Sequence, residues 1–243
     1  MSLPRFFTRD IEDDHLLLDE GESGHAVRVL RLREGDEIVV LDGEGGRYRA
    51  VIAEARSRRV RARIVEKETR RARAPWHLHI AIAPTKSFDR FSFFLEKAAE
   101  AGIDEITPLL CDHSERKTLR HDRAAKVLIA AMKQSGQSFL PRLHPLMPLA
   151  AFLEQPRDGD LLIAHCCEQQ DERIHLYDAL EKKKVTILIG PEGDFSPAEV
   201  ARARRAGYRS ISLGNTRLRT ETAGITAAII TATKFRHEGN EPD

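Results

Sequence analysis

The 243-residue sequence predicts an α/β protein in two parts: a small β-barrel, then a mostly parallel sheet between helix layers. Three observations carry this. Residues 36–52 read as a hairpin around a glycine-rich turn, and Arg59 to Val65 alternates charged and apolar side chains, as a half-exposed strand does. From His77 onward, strand patterns alternate with helix patterns. Later strands such as Thr186-Ile187-Leu188-Ile189 are nearly continuously apolar, which implies cover on both faces.

Taken in order, Gly24 to Leu32 reads as a short helix or turn that would bring Arg28 and Arg31 onto one face. Asp36 to Leu41 forms a strand, Asp42-Gly43-Glu44-Gly45-Gly46 turns the chain, and Arg47 to Ile52 returns as a hairpin. Arg59 to Val65 makes a further half-exposed strand. Glu66 to Pro75 is polar and arginine-rich and reads as a linker, dividing the chain into domains 1–72 and 73–243. Strands are then expected at His77–Ala83, Glu105–Cys111, Leu161–His165, Val185–Ile189 and Ser210–Leu213. Helices are expected at Phe88–Ala101, His121–Ser135, Glu172–Glu181, Pro197–Ala206 and from about Glu221 to Phe235. The fourth of these helices is the best specified. Ser196 suits the N-cap, Pro197 the first turn, and Glu199 completes a capping box. Phe195 and Val200 can staple its start, and Gly207 ends it.

Composition narrows the class. With 41% hydrophobic and 32% charged residues, the chain is globular, and no apolar run approaches the roughly 20 residues of a membrane span. The opening MSLPRFFTRD has charges where a secretion signal is apolar, so a cytoplasmic protein is expected. Cys111, Cys166 and Cys167 form no CxxC pair and read as reduced thiols. The net charge of +1 hides an asymmetry: Arg47 to Arg73 holds eleven basic residues against three acids. That stretch suits a polyanion such as nucleic acid, or simply a solvated strand face.

Two strand-end turns stand out, Gly190-Pro191-Glu192-Gly193 and Leu213-Gly214-Asn215. A third loop, Thr216 to Thr220, feeds the last helix. Strand-end glycines of parallel sheets are common ligand sites, and each turn also has a purely structural reading. No phosphate loop is present, because no Gly-Lys-Ser/Thr follows, and no GxGxxG opens a helix. There is no GxSxG nucleophile motif. His165-Cys166-Cys167 lacks a second cluster at metal-ligand spacing, so no metal is expected. In Leu218-Arg219-Thr220-Glu221-Thr222-Ala223-Gly224, small residues and a helix N-terminus suit a ligand carboxylate. Alternatively, Thr220 or Thr222 is an ordinary N-cap and Arg219 with Glu221 a surface ion pair.

GPEGDFSPAEV and SLGNTRLRTETAG closely resemble the C-terminal signature of the RsmE family, bacterial 16S ribosomal RNA uridine-N3 methyltransferases of the SPOUT class. His25 to Leu32 with Gly35-Asp36 and Asp42-Gly43 is similar to that family's PUA-like RNA-binding domain. Lys86, Phe94-Leu95-Glu96-Lys97-Ala98, Gly102 to Ile106, and Gln134-Ser135-Gly136 with Pro141 resemble its middle motifs. The resemblance implies a C-terminal SPOUT domain with a deep trefoil knot, S-adenosyl-L-methionine as cofactor, a homodimer, and 16S rRNA within the small ribosomal subunit as partner. It places the cofactor on Ala164, His165, Ile189, Gly190, Pro191, Glu192, Gly193, Leu213, Gly214, Asn215, Leu218, Arg219, Thr220, Thr222 and Ala223. Arg219 would stabilise charge developing on the uracil carbonyls. Glu221 would accept the N3 proton or orient Arg219. Arg5, Arg28, Arg31 and Arg33 would contact RNA phosphates. The chain departs from the family pattern at Asp194, where a third glycine is expected, and at Asn215, where proline is frequent. The competing readings are a SPOUT enzyme acting on another rRNA or tRNA position, a non-catalytic ribosome-assembly factor, and a small-molecule α/β enzyme.

Overall fold

The computed structural model describes residues 3–69, 74–166 and 173–238. It divides into two compact units, Met1–Arg73 with Ile129–Leu140, and Ala74–Leu128 with Pro141–Asp243.

The first unit contains β1 (Arg5–Phe7), β2 (Ile11–Glu12), β3 (His15–Leu18), α1 (Glu20–Gly24), β4 (Glu37–Leu41), β5 (Gly46–Arg56) and β6 (Arg59–Thr69). Its sheet runs β1-β4-β5-β6-β3-β2, antiparallel except where β1 pairs β4. Alternation decides the core: Phe6, Leu16, Ile38, Val40 and Ile52 point into one buried cluster, while Val39 and Leu41 on the other face of β4 are buried against Met132. The glycine turn forms because the Asp42 carboxylate accepts from the backbone N–H of Glu44 and of Gly46 at 2.7 and 2.8 Å.

Three expectations change here. Glu66 to Thr69 is not linker but the end of β6, since Arg49 meets Glu66 at 3.1 Å and Arg47 meets Glu68 at 3.8 Å across the ribbon. The remaining expected linker residues Arg70 to Arg73 lie outside the described residues. The helical turn at 24–32 is α1 followed by one wide turn over His25–Val29, and it stops before Arg31, whose φ is 57°. Arg28 and Arg31 therefore share no helix face. Arg5 is turned inward: its guanidinium donates to the carbonyls of Lys133 and Gln134 at 3.1 and 2.9 Å, capping a helix end.

The second unit contains β7 (His77–Ile82), α2 (Phe88–Ala101), β8 (Glu105–Leu110) and the first half of α3 (His121–Ser135). After α3 come β9 (Arg142–Leu143), β10 (Met147–Pro148), α4 (Leu149–Leu153), β11 (Asp160–Ala164), β12 (Ile174–His175) and α5 (Leu176–Ala179). Next are β13 (Lys184–Ile189), α6 (Pro197–Arg205), β14 (Arg209–Ser212) and α7 (Thr220–Glu238). Every pairing is parallel, in the order β10-β8-β7-β13-β11-β14-β12, with β9 also on β8. The apolar strands are covered on both faces, as expected: all of Val185 to Ile189 is buried. α7 packs on α2, β7 and β13. Gly224 permits that approach, because a β-carbon there would stand 2.6 Å from the Phe94 ring.

The helix expected at Glu172–Glu181 is not formed. Glu172 lies outside the described residues, and the chain from Ile174 onward forms β12 and the single turn α5 instead. Pairing of Ile174 with Ile211 draws this stretch into the sheet edge, and the His175 imidazole then accepts from Tyr177 N–H. The pairing keeps Ile174 and His175 extended, and the cap starts the helical turn only at Leu176.

Candidate functional site

Register brings the predicted loops together. Ala164, the last residue of β11, pairs with Ile189 of β13 on one side and Ile211 of β14 on the other. Three carboxyl strand ends thus lie side by side, and the segments at His165, Gly190 and Leu213 emerge from one edge.

The first loop is held from several directions. Asp194 N–H donates to the Pro191 carbonyl at 2.9 Å, and Asp194 adopts the left-handed conformation with φ 63°. That is the conformation the glycine expected there would favour. Aspartate tolerates the left-handed region better than most residues, and here its carboxylate also accepts from Phe195 N–H at 2.8 Å and Cys166 N–H at 2.7 Å. The substitution ties two walls of the site to each other. Glu192 accepts from Lys86 N–H at 2.9 Å. His113 Nδ1 lies 3.0 Å from the carbonyls of Gly193 and Asp194, and a β-carbon on Gly193 would come within 2.9 Å of His113 Cβ. The capping box is present: Glu199 accepts from Ser196 N–H at 2.8 Å, and Ser196 Oγ accepts from Glu199 N–H at 3.2 Å. The other Glu199 oxygen accepts from Asp112 N–H at 2.9 Å, and Ser196 Oγ donates to Asp112 at 2.6 Å. His113 and Asp112 carry no motif in the sequence; only the fold puts them under this loop.

His165 presents its backbone rather than its ring. The imidazole is buried, with Nε2 2.9 Å from Ser210 Oγ, and its carbonyl accepts from Arg173. Burial lowers the His165 pKa; Asp194 opposes this, and Arg173 and Arg204 reinforce it.

In the second loop, Gly214 has φ 129°, and Gly214 to Arg217 is exposed. At the start of α7, the Arg219 carbonyl accepts from Ala223 N–H at 2.8 Å, so neither Thr220 nor Thr222 occupies the N-cap. Arg219 is exposed, and Thr220 and Glu221 are buried. Among the described residues no ion pair joins Arg219 to Glu221. The Glu221 side chain is 8% exposed, yet its Oε2 has no hydrogen-bond partner. A buried carboxylate oxygen without a donor is costly, and a bound N–H group is what would satisfy it. Thr222 is exposed, and Ala223 and Leu218 are half-buried.

On the first unit Arg28, Arg31 and Arg33 are exposed and pair with no described acid. The basic stretch beyond them is partly neutralised by the pairs of β5 with β6 and by Arg58 with Glu20 at 3.6 Å. Cys111 and Cys166 are free thiols, and Cys167 lies outside the described residues. Among the described residues no helix is long and apolar enough to cross a membrane.

Comparison with known proteins agrees with the geometry. A family model described as an RNA methyltransferase domain matches residues 72–232, and one described as an RNA methyltransferase PUA domain matches residues 18–65. The chain is 27% identical over 226 residues to ribosomal RNA small subunit methyltransferase E of Mesomycoplasma hyopneumoniae, covering 91% of this chain and 95% of that protein. It superposes with a TM-score of 0.87 on the crystal structure of a "probable rRNA-methyltransferase" from Porphyromonas gingivalis. That protein is 38% identical, with 97% of this chain and 100% of the other covered. The structure of ribosomal RNA small subunit methyltransferase E from Neisseria gonorrhoeae, bound to S-adenosyl methionine, gives a TM-score of 0.82 at 26% identity. It covers 96% of this chain and 98% of that one.

Proposed function

Because the chain belongs to the RNA methyltransferase family, we propose that it methylates N3 of a specific uridine in 16S rRNA of the small ribosomal subunit, using S-adenosyl-L-methionine. The observation that carries this reading is the convergence of the ends of β11, β13 and β14, the last of which leads into α7 and its buried, unpartnered Glu221 oxygen.

The loops Gly190–Gly193 and Leu213–Asn215 and the backbone at Ala164-His165 would hold the cofactor, whose sulfonium supplies an already activated methyl group. The rest is positioning. Uracil N3 is protonated and lies on the pairing edge, so the base must be unstacked to enter. Glu221 accepts the N3 proton at its free oxygen. Arg219, exposed at the mouth, stabilises the negative charge that spreads onto the uracil carbonyls. Arg28, Arg31 and Arg33 grip phosphates and set the register of the RNA; Arg5 is excluded from that set by its helix-capping bonds. In this reading residues 1–72 position RNA and 73–243 transfer the methyl group, with 129–140 packed into the former.

A knotted path is supported by the topology: β14 lies beyond β11, yet the chain returns to pack α7 on α2 and β7. A homodimer is supported by an apolar groove between α5 and α7 with Tyr177 and Ile229 exposed. Ile229→Asp should shift the protein to monomer by light scattering. A cytoplasmic location accords with such a substrate.

The test is methylation of unmodified small subunits and of free 16S rRNA with labelled cofactor, then mapping of the labelled nucleotide. Label on a uracil N3 is expected. Label on a ribose or on another base would replace the uridine assignment, and cofactor binding without transfer to any RNA would favour an assembly factor.

A further inference from the structure

At the edge of the large sheet opposite the glycine loops, where β7 and β8 begin, three potential ligands meet. His79, Glu105 and His144 offer donor atoms that all lie within 4.8 Å of one another. They come from β7, β8 and the residue after β9, so no short spacing reveals them, and the sequence patterns predict no metal. His79 is buried, with Nε2 2.8 Å from Thr107 Oγ1. His144 Nε2 stands 2.5 Å from one Glu105 oxygen, and His77 Nε2 stands 3.1 Å from the other. The backbone here is rigid, since His144 N–H donates to the Ile106 carbonyl at 2.8 Å.

We propose that His79, Glu105 and His144 form a binding site for a divalent transition metal of the zinc class, and that Arg157 is the cation standing in for it in the metal-free protein. Two imidazoles and a carboxylate are a donor set that zinc accepts. Bonds of about 2.0–2.2 Å hold tetrahedral donors roughly 3.4 Å apart, so His144 Nε2 and the Glu105 oxygen, 2.5 Å apart in the metal-free protein, must separate to admit the ion. Arg157 Nη1 lies 3.3 Å from His79 Nδ1, its guanidinium rests 3.9 Å from the Phe152 ring centroid, and its buried Nε has no partner. That is an imperfect home for a guanidinium, and a metal ion would displace it. Glu105 and His144 are about one quarter exposed and provide the entry. His77, on the second carboxylate oxygen, orients Glu105 from behind, as outer partners of metal ligands do. The ion would clip β7, β8 and the segment after β9 together, on the far edge from the methyl-transfer loops, so this site is independent of the function assigned to those loops.

The test is calorimetric titration of the full chain with Zn2+, together with the visible spectrum after Co2+ addition. One ion per chain is expected, with no thiolate-to-cobalt charge-transfer band. His144→Ala should weaken binding at least tenfold, and Arg157→Met, which keeps all three ligands, should tighten it. No stoichiometric binding, a thiolate band, or unchanged affinity in His144→Ala overturns the site. If His144→Ala does not fold, Arg157→Met decides: affinity no greater than that of the unaltered chain overturns the stand-in role and with it the proposal.

Discussion

Glu221 and Asp194 are two carboxylates a short distance apart in sequence with opposite circumstances. Asp194 uses both oxygens, on Phe195 and Cys166, and so locks a left-handed turn. Glu221 leaves one buried oxygen without a donor. The first is structural, and the second is the proposed proton acceptor. Glu221→Gln is therefore expected to lower kcat by about 100-fold or more, the usual range for a general base, with cofactor affinity little changed. An unaltered rate and pH profile would remove Glu221 from the proton transfer. His165 makes a pH prediction. Its folded pKa lies below the ordinary value of about 6.5. Above that value both folded and unfolded forms are neutral. As pH falls below it the unfolded chain takes up a proton that the folded chain refuses, so stability is lost. Denaturant melts should show this decline below about pH 6.5, and His165→Asn should flatten it. Asp194 itself was legible only as a departure from a glycine pattern; the bond to Cys166 that gives it a purpose joins residues 28 positions apart.

At the scale of elements, the local code was sufficient wherever the signal was strong. Phe88–Ala101 and His121–Ser135 form helices with the expected bounds, and the Ser196–Glu199 capping box is present atom for atom. Ser196 carries a second duty, since its hydroxyl also donates to Asp112. Ser196→Ala should thus cost about 1 kcal/mol or somewhat more, measured by denaturant unfolding, and weaken cofactor binding by loosening the loop before α6. Local reasoning failed where pairing partners decide. Glu66 to Thr69 looked like linker because it is polar, yet Arg47 and Arg49 across the ribbon make it strand. Ile174 to Ala179 looked helical until β14 recruited its first residues.

Over the whole molecule, charge and ligand sites are distributed between the two units. The eleven basic residues of 47–73 overstate the free field, because several are paired with Glu20, Glu66 and Glu68. The arginines near residue 30, which pair with no described acid, are the proposed RNA contacts. An Arg31→Ala/Arg33→Ala chain should bind RNA more weakly and with a shallower salt dependence, the slope falling by roughly one unit per lost phosphate contact. Its cofactor affinity should stay unchanged, which calorimetry can check.

What the sequence determined by itself was the strand–helix alternation, the double-sided burial of the central strands, the cap before α6 and the identity of the glycine loops. All of these depend on residues within a few positions of each other. Only the tertiary structure decided that Ala164, Ile189 and Ile211 lie side by side, that Arg5 reaches the carbonyls at the end of α3, that Glu221 Oε2 is buried without a donor, and that His79, Glu105 and His144 converge. The reason is physical: register, burial and the partner of a charge are set by segments distant in the chain, and they exist only once the sheet has assembled.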